Sequence, residues 1–241
     1  MYKLIISNFD NTLINSEEAI SSSTMIKLEE VRNRGILFGI STNRCYKEVL
    51  AYNKDFPFID YIISYNGAYV YDVKKDKTLL KKHLLINSIK KIYNNFSNYD
   101  LLFYTEDYNY NIKEIDVDFF KDNKIYKISI LCNDSYDFII DKINSLNLDI
   151  SIYKYYKDGN IYLDIFRDSI NKLVGLNSIC KKINLDEVIG VGYDYSDLEL
   201  LENVGYSVLV SNGCDKLKNK VDFITNSNDC NGILKLLEKM F

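Results

Sequence analysis

Short apolar runs rich in β-branched residues alternate with amphipathic segments in the first third of the chain, cease to do so in the middle, and resume in the last third. Tyr2 to Ser7 reads as a buried strand that ends in polar turn residues. A helix is expected from about Ser23 to Arg34, with Met25, Leu28 and Val31 on one face and Gly35 as its stop. A second buried strand, Ile36 to Ile40, precedes a helix carrying Tyr46, Val49 and Leu50, and a third strand runs from Tyr61 to Ser64. Strands alternating with helices imply a parallel α/β sheet. The same rhythm returns with helix Asn171 to Lys182, strand Val188 to Val191, helix Asp197 to Asn203, strands Tyr206 to Val210 and Asp222 to Thr225, and a last helix from Gly232. The two ends of the chain therefore predict one Rossmann-like parallel sheet.

The middle follows another pattern. Tyr69 to Asp72 and Thr78 to Leu84 read as a β-ribbon around Lys74-Lys75-Asp76-Lys77. Helix Ile86 to Phe96, strands Asp100 to Tyr104 and Ile125 to Cys132, helix Ser135 to Leu146, and strands Ile150 to Tyr153 and Ile161 to Phe166 follow. Two helices against a mostly antiparallel sheet form an α+β unit of their own. The expected division is an α/β core from residues 1–80 and 168–241 with an α+β insertion over 81–167.

Composition narrows the function. With 47% hydrophobic residues among 241, the chain can bury a substantial core. A net charge of −4 argues against nucleic acid or an anionic membrane as the main partner. Cys45, Cys132, Cys180, Cys214 and Cys230 are odd in number, contain no CxxC pair and suit a reducing, cytoplasmic setting. The first residues show no signal-peptide organisation, and no apolar run approaches the roughly 20 residues of a membrane helix.

Sites in open parallel sheets form at the carboxyl ends of strands. After the first strand comes Asn8-Phe9-Asp10-Asn11-Thr12-Leu13; after the second, Ser41-Thr42-Asn43-Arg44; after the third, Asn66-Gly67-Ala68. The strand at Val188 is followed by Gly192-Tyr193-Asp194-Tyr195-Ser196-Asp197, and Lys172 opens the helix that re-enters the core. Hydroxyls, backbone amides at helix starts and a lysine suit an oxyanion such as phosphate. Plainer roles stand beside this one: Asp10 as a helix-start cap, Lys172 as a solvated lysine although cations are disfavoured at helix starts, Thr42 and Arg44 as turn closers, and Asn8 as a partner for turn backbone. His83, beside Lys81 and Lys82, reads as surface. Tyr104, Tyr108, Tyr110, Tyr153, Tyr155 and Tyr156 read as strand packing.

In their order along the chain these motifs resemble the haloacid dehalogenase superfamily, specifically the Cof-type class IIB phosphatases, whose patterns are Asp-x-Asp-Gly-Thr, Thr-Gly-Arg, a lysine after the cap, and Gly-Asp-Gly-x-Asn-Asp. The resemblance implies an α/β core with an inserted cap, and covalent phosphomonoester hydrolysis with Mg2+. It implies that Asp10 is the acid/base, Thr12 and Thr42 are phosphate-binding hydroxyls, Lys172 is the phosphate-binding lysine and Asp197 is the last loop carboxylate. It also implies a metal held by the residue at position 8, the Asp10 backbone carbonyl and the acidic loop, with Asn212 near the site. Asn11 and Asn43 stand where glycines are usual, and Arg44 ends the second motif.

Two departures are larger. Asn8 stands at the nucleophile position and Tyr193 at that of a metal-binding aspartate. An amide is a poor nucleophile, and a phenol near pH 7 is uncharged, whereas magnesium prefers carboxylate. The expectation is a phosphatase relative that binds a small phosphorylated metabolite with lost or reduced activity and weakened Mg2+ binding. The other readings are an atypical phosphatase using Asp10 with Asp194 or Asp197, and a protein-interaction scaffold.

Overall fold

The computed structural model describes residues 2–54, 57–132, 135–157, 159–181 and 183–241. In the first third lie β1 (Leu4–Asn8), α1 (Ser22–Asn33), β2 (Leu37–Ser41), α2 (Tyr46–Tyr52), β3 (Tyr61–Ser64), β4 (Tyr69–Asp72) and β5 (Lys77–Lys81). The middle holds α3 (Ile86–Asn95), β6 (Leu101–Tyr104), β7 (Asn109–Asn111), α4 (Phe119–Asp122), β8 (Lys127–Leu131), α5 (Tyr136–Asn144), β9 (Ile150–Lys157) and β10 (Asn160–Arg167). The last third supplies α6 (Lys172–Ile179), β11 (Val188–Gly192), α7 (Leu198–Leu201), β12 (Tyr206–Val210), β13 (Phe223–Thr225) and α8 (Gly232–Met240). Contacts divide the chain into one unit of residues 1–80 and 171–241 and a second of residues 81–170.

In the first unit eight strands form one sheet in the order β13-β12-β11-β1-β2-β3-β4-β5. β1 lies parallel between β11 and β2, with all five of its residues buried. That placement is why its sequence, Leu-Ile-Ile-Ser-Asn, is continuously apolar up to its polar end. Successive residues face opposite sides. Ile5 joins Phe38, Ile40, Leu28, Val31 and Leu236 on one face, while Leu4 and Ile6 join Ile63, Val70, Leu176 and Leu201 on the other. β4 turns back antiparallel to β3.

The second unit is a five-stranded sheet, β7-β6-β8-β10-β9, whose neighbouring strands pair antiparallel. Its apolar core contains Ile89, Ile92, Phe96, Leu101, Phe103, Ile128, Ile130, Ile139, Leu163 and Ile165.

Several elements differ from the sequence reading. β9 extends to Lys157, beyond the expected end at Tyr153, because it pairs along its whole length with β10. β7 and α4 were not foreseen; at three and four residues they are too short to show a period. The second strand of the ribbon stops at Lys81, and Leu84 instead donates its backbone N–H to Ile125 within the second unit. The helix expected to reach Lys182 is observed over Lys172–Ile179, and Lys182 lies outside the described residues. His83 is half-buried against Tyr126, with Nδ1 beside the Leu84 carbonyl. Tyr155 stacks on Tyr162 and Tyr153 meets Phe166, but Tyr108 and Tyr156 are exposed, so tyrosine packing holds only in part.

Candidate active site

β1 delivers Asn8 to the carboxyl edge of the sheet, where the chain enters the turn Phe9–Leu13. Asn11 adopts φ 56°, a left-handed conformation that asparagine tolerates better than most residues, so its replacement of glycine is conformationally reasonable. The Asn11 carbonyl accepts the Asn212 side-chain amide at 3.1 Å, and Asn212 Oδ1 accepts the Asn228 N–H. Asn212 is thus an exposed tie between loops.

Two glycines bring α6 to the same edge. Gly67 has φ +99°, and a Cβ there would lie 2.0 Å from the Asn171 carbonyl oxygen. A Cβ on Gly175 would meet Ile63 at 2.4 Å. With both positions bare, the helix start packs closely on β3 and its turn. Asn171 caps α6 by accepting the Val174 N–H at 3.0 Å. Lys172, only 2% exposed, then reaches both Asn8 and Asp197: its Nζ donates to Asn8 Oδ1 at 3.1 Å and to Asp197 Oδ1 at 2.6 Å. Two of its three N–H donors are engaged in this way.

The loop after β11 wraps Asp197. Asp197 Oδ2 accepts the backbone N–H groups of Tyr193 and Asp194 at 2.9 and 3.1 Å. Burial pushes its carboxyl above the usual range, while Lys172 and the backbone donors pull the other way. Asp194 caps the following turn, with Oδ1 accepting the Ser196 N–H and hydroxyl at 2.8 and 2.6 Å. Tyr193 is half-buried; burial, followed by the nearby Asp194, raises its phenol pKa and keeps it neutral.

A second ion pair lies at the rim. Arg44 Nε donates to both carboxylate oxygens of Asp10 at 3.0 and 3.1 Å, and an Nη reaches Oδ1 at 2.6 Å. The same Nη contacts Glu18 at 3.3 Å. Burial opposes the guanidinium charge, but the Asp10 hydrogen bonds and charge outweigh it and raise the Arg44 pKa above its ordinary value. Thr42 is buried, and its Oγ1 accepts the Arg44 N–H at 3.1 Å. Its carbonyl accepts the Asn66 N–H at 3.1 Å, tying the second and third strand-end turns together.

Asn8, Asp10, Thr12, Lys172, Asp197 and the backbone of Tyr193 and Asp194 therefore form one connected group, with Thr42 joined through Arg44. Asn43 stands apart: its buried Oδ1 has no partner among the described residues. So do Ser41 Oγ, Ser64 Oγ and both amide atoms of Asn66, all at the ends of β2 and β3. Glu18 was not singled out from sequence, and Asn66 was named there only as part of the turn after the third strand. Glu18 lies in a polar stretch without a motif, and the signal at Asn66 was its place beside Gly67 after a strand.

The donor set does not fit the divalent metal expected of the family. The Asp10 carbonyl, one expected ligand, accepts Asn8 Nδ2 at 2.8 Å. Asn8 Oδ1 and Asp197 Oδ1 both face the Lys172 ammonium, and Asp197 Oδ2 is filled by backbone donors. Among the described residues, no group of three or more His, Cys, Asp or Glu side chains is placed to hold a metal ion.

The haloacid dehalogenase-like hydrolase family profile matches residues 5–237, and the chain belongs to that family. At 22% identity it resembles the stress response protein YhaX of Bacillus subtilis (strain 168), covering 99% of this chain and 93% of that protein. Also at 22% identity is 5-amino-6-(5-phospho-D-ribitylamino)uracil phosphatase YitU of the same organism, covering 99% and 97%. A haloacid dehalogenase-like hydrolase from Bacteroides thetaiotaomicron superposes with TM-score 0.83 at 21% identity over 100% of both chains. The subclass IIB sugar phosphatase BT4131 superposes with TM-score 0.84 at 19% identity, over 98% of each. The fold is thus the class IIB, Cof-type fold, and no helix among the described residues is long and apolar enough to cross a membrane.

Proposed function

We propose that the protein binds a small phosphorylated metabolite, a sugar phosphate or similar phosphomonoester, at the carboxyl ends of β1, β2 and β11, and hydrolyses it slowly or not at all. The observation that carries this reading is Asn8. It stands where the family places its attacking carboxylate, and its side chain is engaged at both ends, with Nδ2 donating to Asp10 O and Thr12 Oγ1 and Oδ1 accepting from Lys172. An amide oxygen has no full negative charge with which to attack phosphorus. Asp10, the family's acid/base, has both oxygens held by Arg44, so proton transfer to a leaving group would first require that pair to open.

Support for retained binding comes from groups suited to phosphate oxygens. Lys172 keeps a donor in reserve and Thr12 and Thr42 supply hydroxyls; Asn11, Asn43, Arg44 and Asn212 are the further polar residues proposed to contact the substrate. Among the described residues, five of the six buried side-chain polar atoms without partners lie at the ends of β2 and β3, and buried polar groups ordinarily have partners. Mg2+ binding, expected of the family, is weakened here. The free cysteines suit a reducing cytoplasm, and the acidic chain does not favour nucleic acid.

The test is a panel of phosphomonoesters screened twice, by thermal shift for binding and by phosphate release for turnover. Stabilisation by one or more esters with release at background is the expected result. Rapid release, or no stabilisation by any ester or by inorganic phosphate, would refute the proposal.

A further inference from the structure

The structure assigns Asn8 a constructive role: its side-chain amide, with Lys172, takes over the work of a divalent cation, so that the site is complete without metal. This deepens the preceding reading, and its ligand arm rests on that reading, while its metal arm does not.

The neighbours of the Asn8 amide fix its orientation. Two oxygens, the Asp10 carbonyl and Thr12 Oγ1, lie 2.8 and 3.1 Å from Asn8 Nδ2. On the other side, the Lys172 Nζ lies 3.1 Å from Oδ1. Lysine can only donate and a carbonyl can only accept. Exchanging O and N would set the amide N–H groups against the ammonium and oxygen against oxygen, so the network fixes one orientation. A carboxylate at position 8 could satisfy Lys172, but its second oxygen would face the Asp10 carbonyl with nothing between them except a cation. The amide supplies the positive end of an N–H dipole at that place instead.

Charge gives the same answer. Lys172 and Asp197 form an ion pair with both side chains 2% exposed. Arg44 and Asp10 form another, and Glu18 at 70% exposure and Asp194 complete the nearby charges. Asn8 and Tyr193 add nothing. Aspartates at both positions would add two negative charges, which one divalent cation would cancel. The chain thus has the net charge of the metal-loaded form without the metal. Placing a doubly positive ion beside the Lys172 ammonium would carry an electrostatic penalty, because Asp197 and Asp10 are already paired with Lys172 and Arg44 and Asp194 Oδ1 is engaged by Ser196. Both substitutions act in the same direction, and Asn8 makes three hydrogen bonds, two of them donated by an N–H that a carboxylate lacks; this is a rebuilt site, with ligand phosphate held by protein groups alone.

The experiment compares thermal unfolding of the full chain and of Asn8→Asp, each in EDTA and in magnesium chloride, with calorimetric titration of magnesium into the unmodified chain. The unmodified protein should show the same midpoint in both buffers and no magnesium heat. Asn8→Asp should unfold roughly 5–10 °C lower in EDTA, with a large part of the loss recovered in magnesium. Magnesium binding or stabilisation of the unmodified chain would overturn the proposal, and this arm holds even if the variant fails to accumulate. Equal, magnesium-indifferent midpoints for both proteins would also overturn it. Inorganic phosphate is then titrated in EDTA. Binding that magnesium does not strengthen supports the proposal, and binding only with magnesium refutes it. No binding under either condition refutes the ligand reading, with the metal arm still deciding the role of Asn8.

Discussion

Each unit of the protein buries a lysine–aspartate pair, and the two pairs are built differently. In the first unit Lys172 and Asp197 meet at 2.6 Å, with the other carboxylate oxygen held by two backbone N–H groups. In the second, Lys127 and Asp164 lie in regular strand positions of β8 and β10 and meet at 3.3 Å. Asp164 also accepts the Ser129 hydroxyl, and the Lys127 ammonium lies over the Tyr104 ring. The first pair is held by turns at strand ends, which can aim backbone donors at a charge. The second draws on the side chains of Ser129 and Tyr104, because the backbone of a paired strand is committed to its ladder. A buried charge is tolerated in either setting only when its partners are supplied.

Removing the cation from each pair tests that contrast. Lys172→Met leaves Asp197 as an uncompensated buried charge and should destabilise the protein by roughly 3–5 kcal/mol in urea unfolding. Lys127→Met leaves Asp164 its Ser129 partner in a longer, slightly more accessible pair, and should cost less, roughly 1–3 kcal/mol. Equal losses would show that the turn-held donors do not distinguish the two. The rim pair should matter least: with Arg44 and Asp10 side chains 24% and 41% exposed, Arg44→Gln should change stability by less than about 1 kcal/mol. Alkaline unfolding probes the second unit from another side. Burial first, and then Glu106, pushes the Tyr126 phenol from 10.0 up to about 12. The unfolded tyrosine therefore releases its proton first, and folded stability should fall as pH rises through that window. Tyr126→Phe should flatten part of the fall; an unchanged slope would remove Tyr126 as its source.

The same contrast explains what was readable in the sequence. Asn8, Asp10, Thr42, Lys172 and Asp197 sit immediately after strands or at a helix start, where a polar residue interrupts an apolar run. Lys127 and Asp164 sit inside strands, where alternation makes a polar residue unremarkable and cross-strand pairing is invisible. The end of β9 was hidden similarly: Tyr155 and Tyr156 read as strand packing, but Lys154 and Lys157 interrupt the apolar run, and only the ladder with β10 sets the strand's length. The sheet itself was legible because its central strands are buried on both faces. The occupation of Asp10 by Arg44 and of Asn8 by three partners was not, since these contacts depend on loop geometry across more than 30 residues of chain for Arg44 and 160 for Lys172.

The most direct test of the central claim, an intact phosphate-ester scaffold without its attacking group, is phosphate release from one ester panel by the unmodified chain and by the double change Asn8→Asp, Tyr193→Asp in magnesium. The account predicts background release from the first and an increase of at least about 100-fold in kcat for the second, comparable to the loss of one strong transition-state interaction. Release by the unmodified chain equal to or above that of the double variant would contradict it.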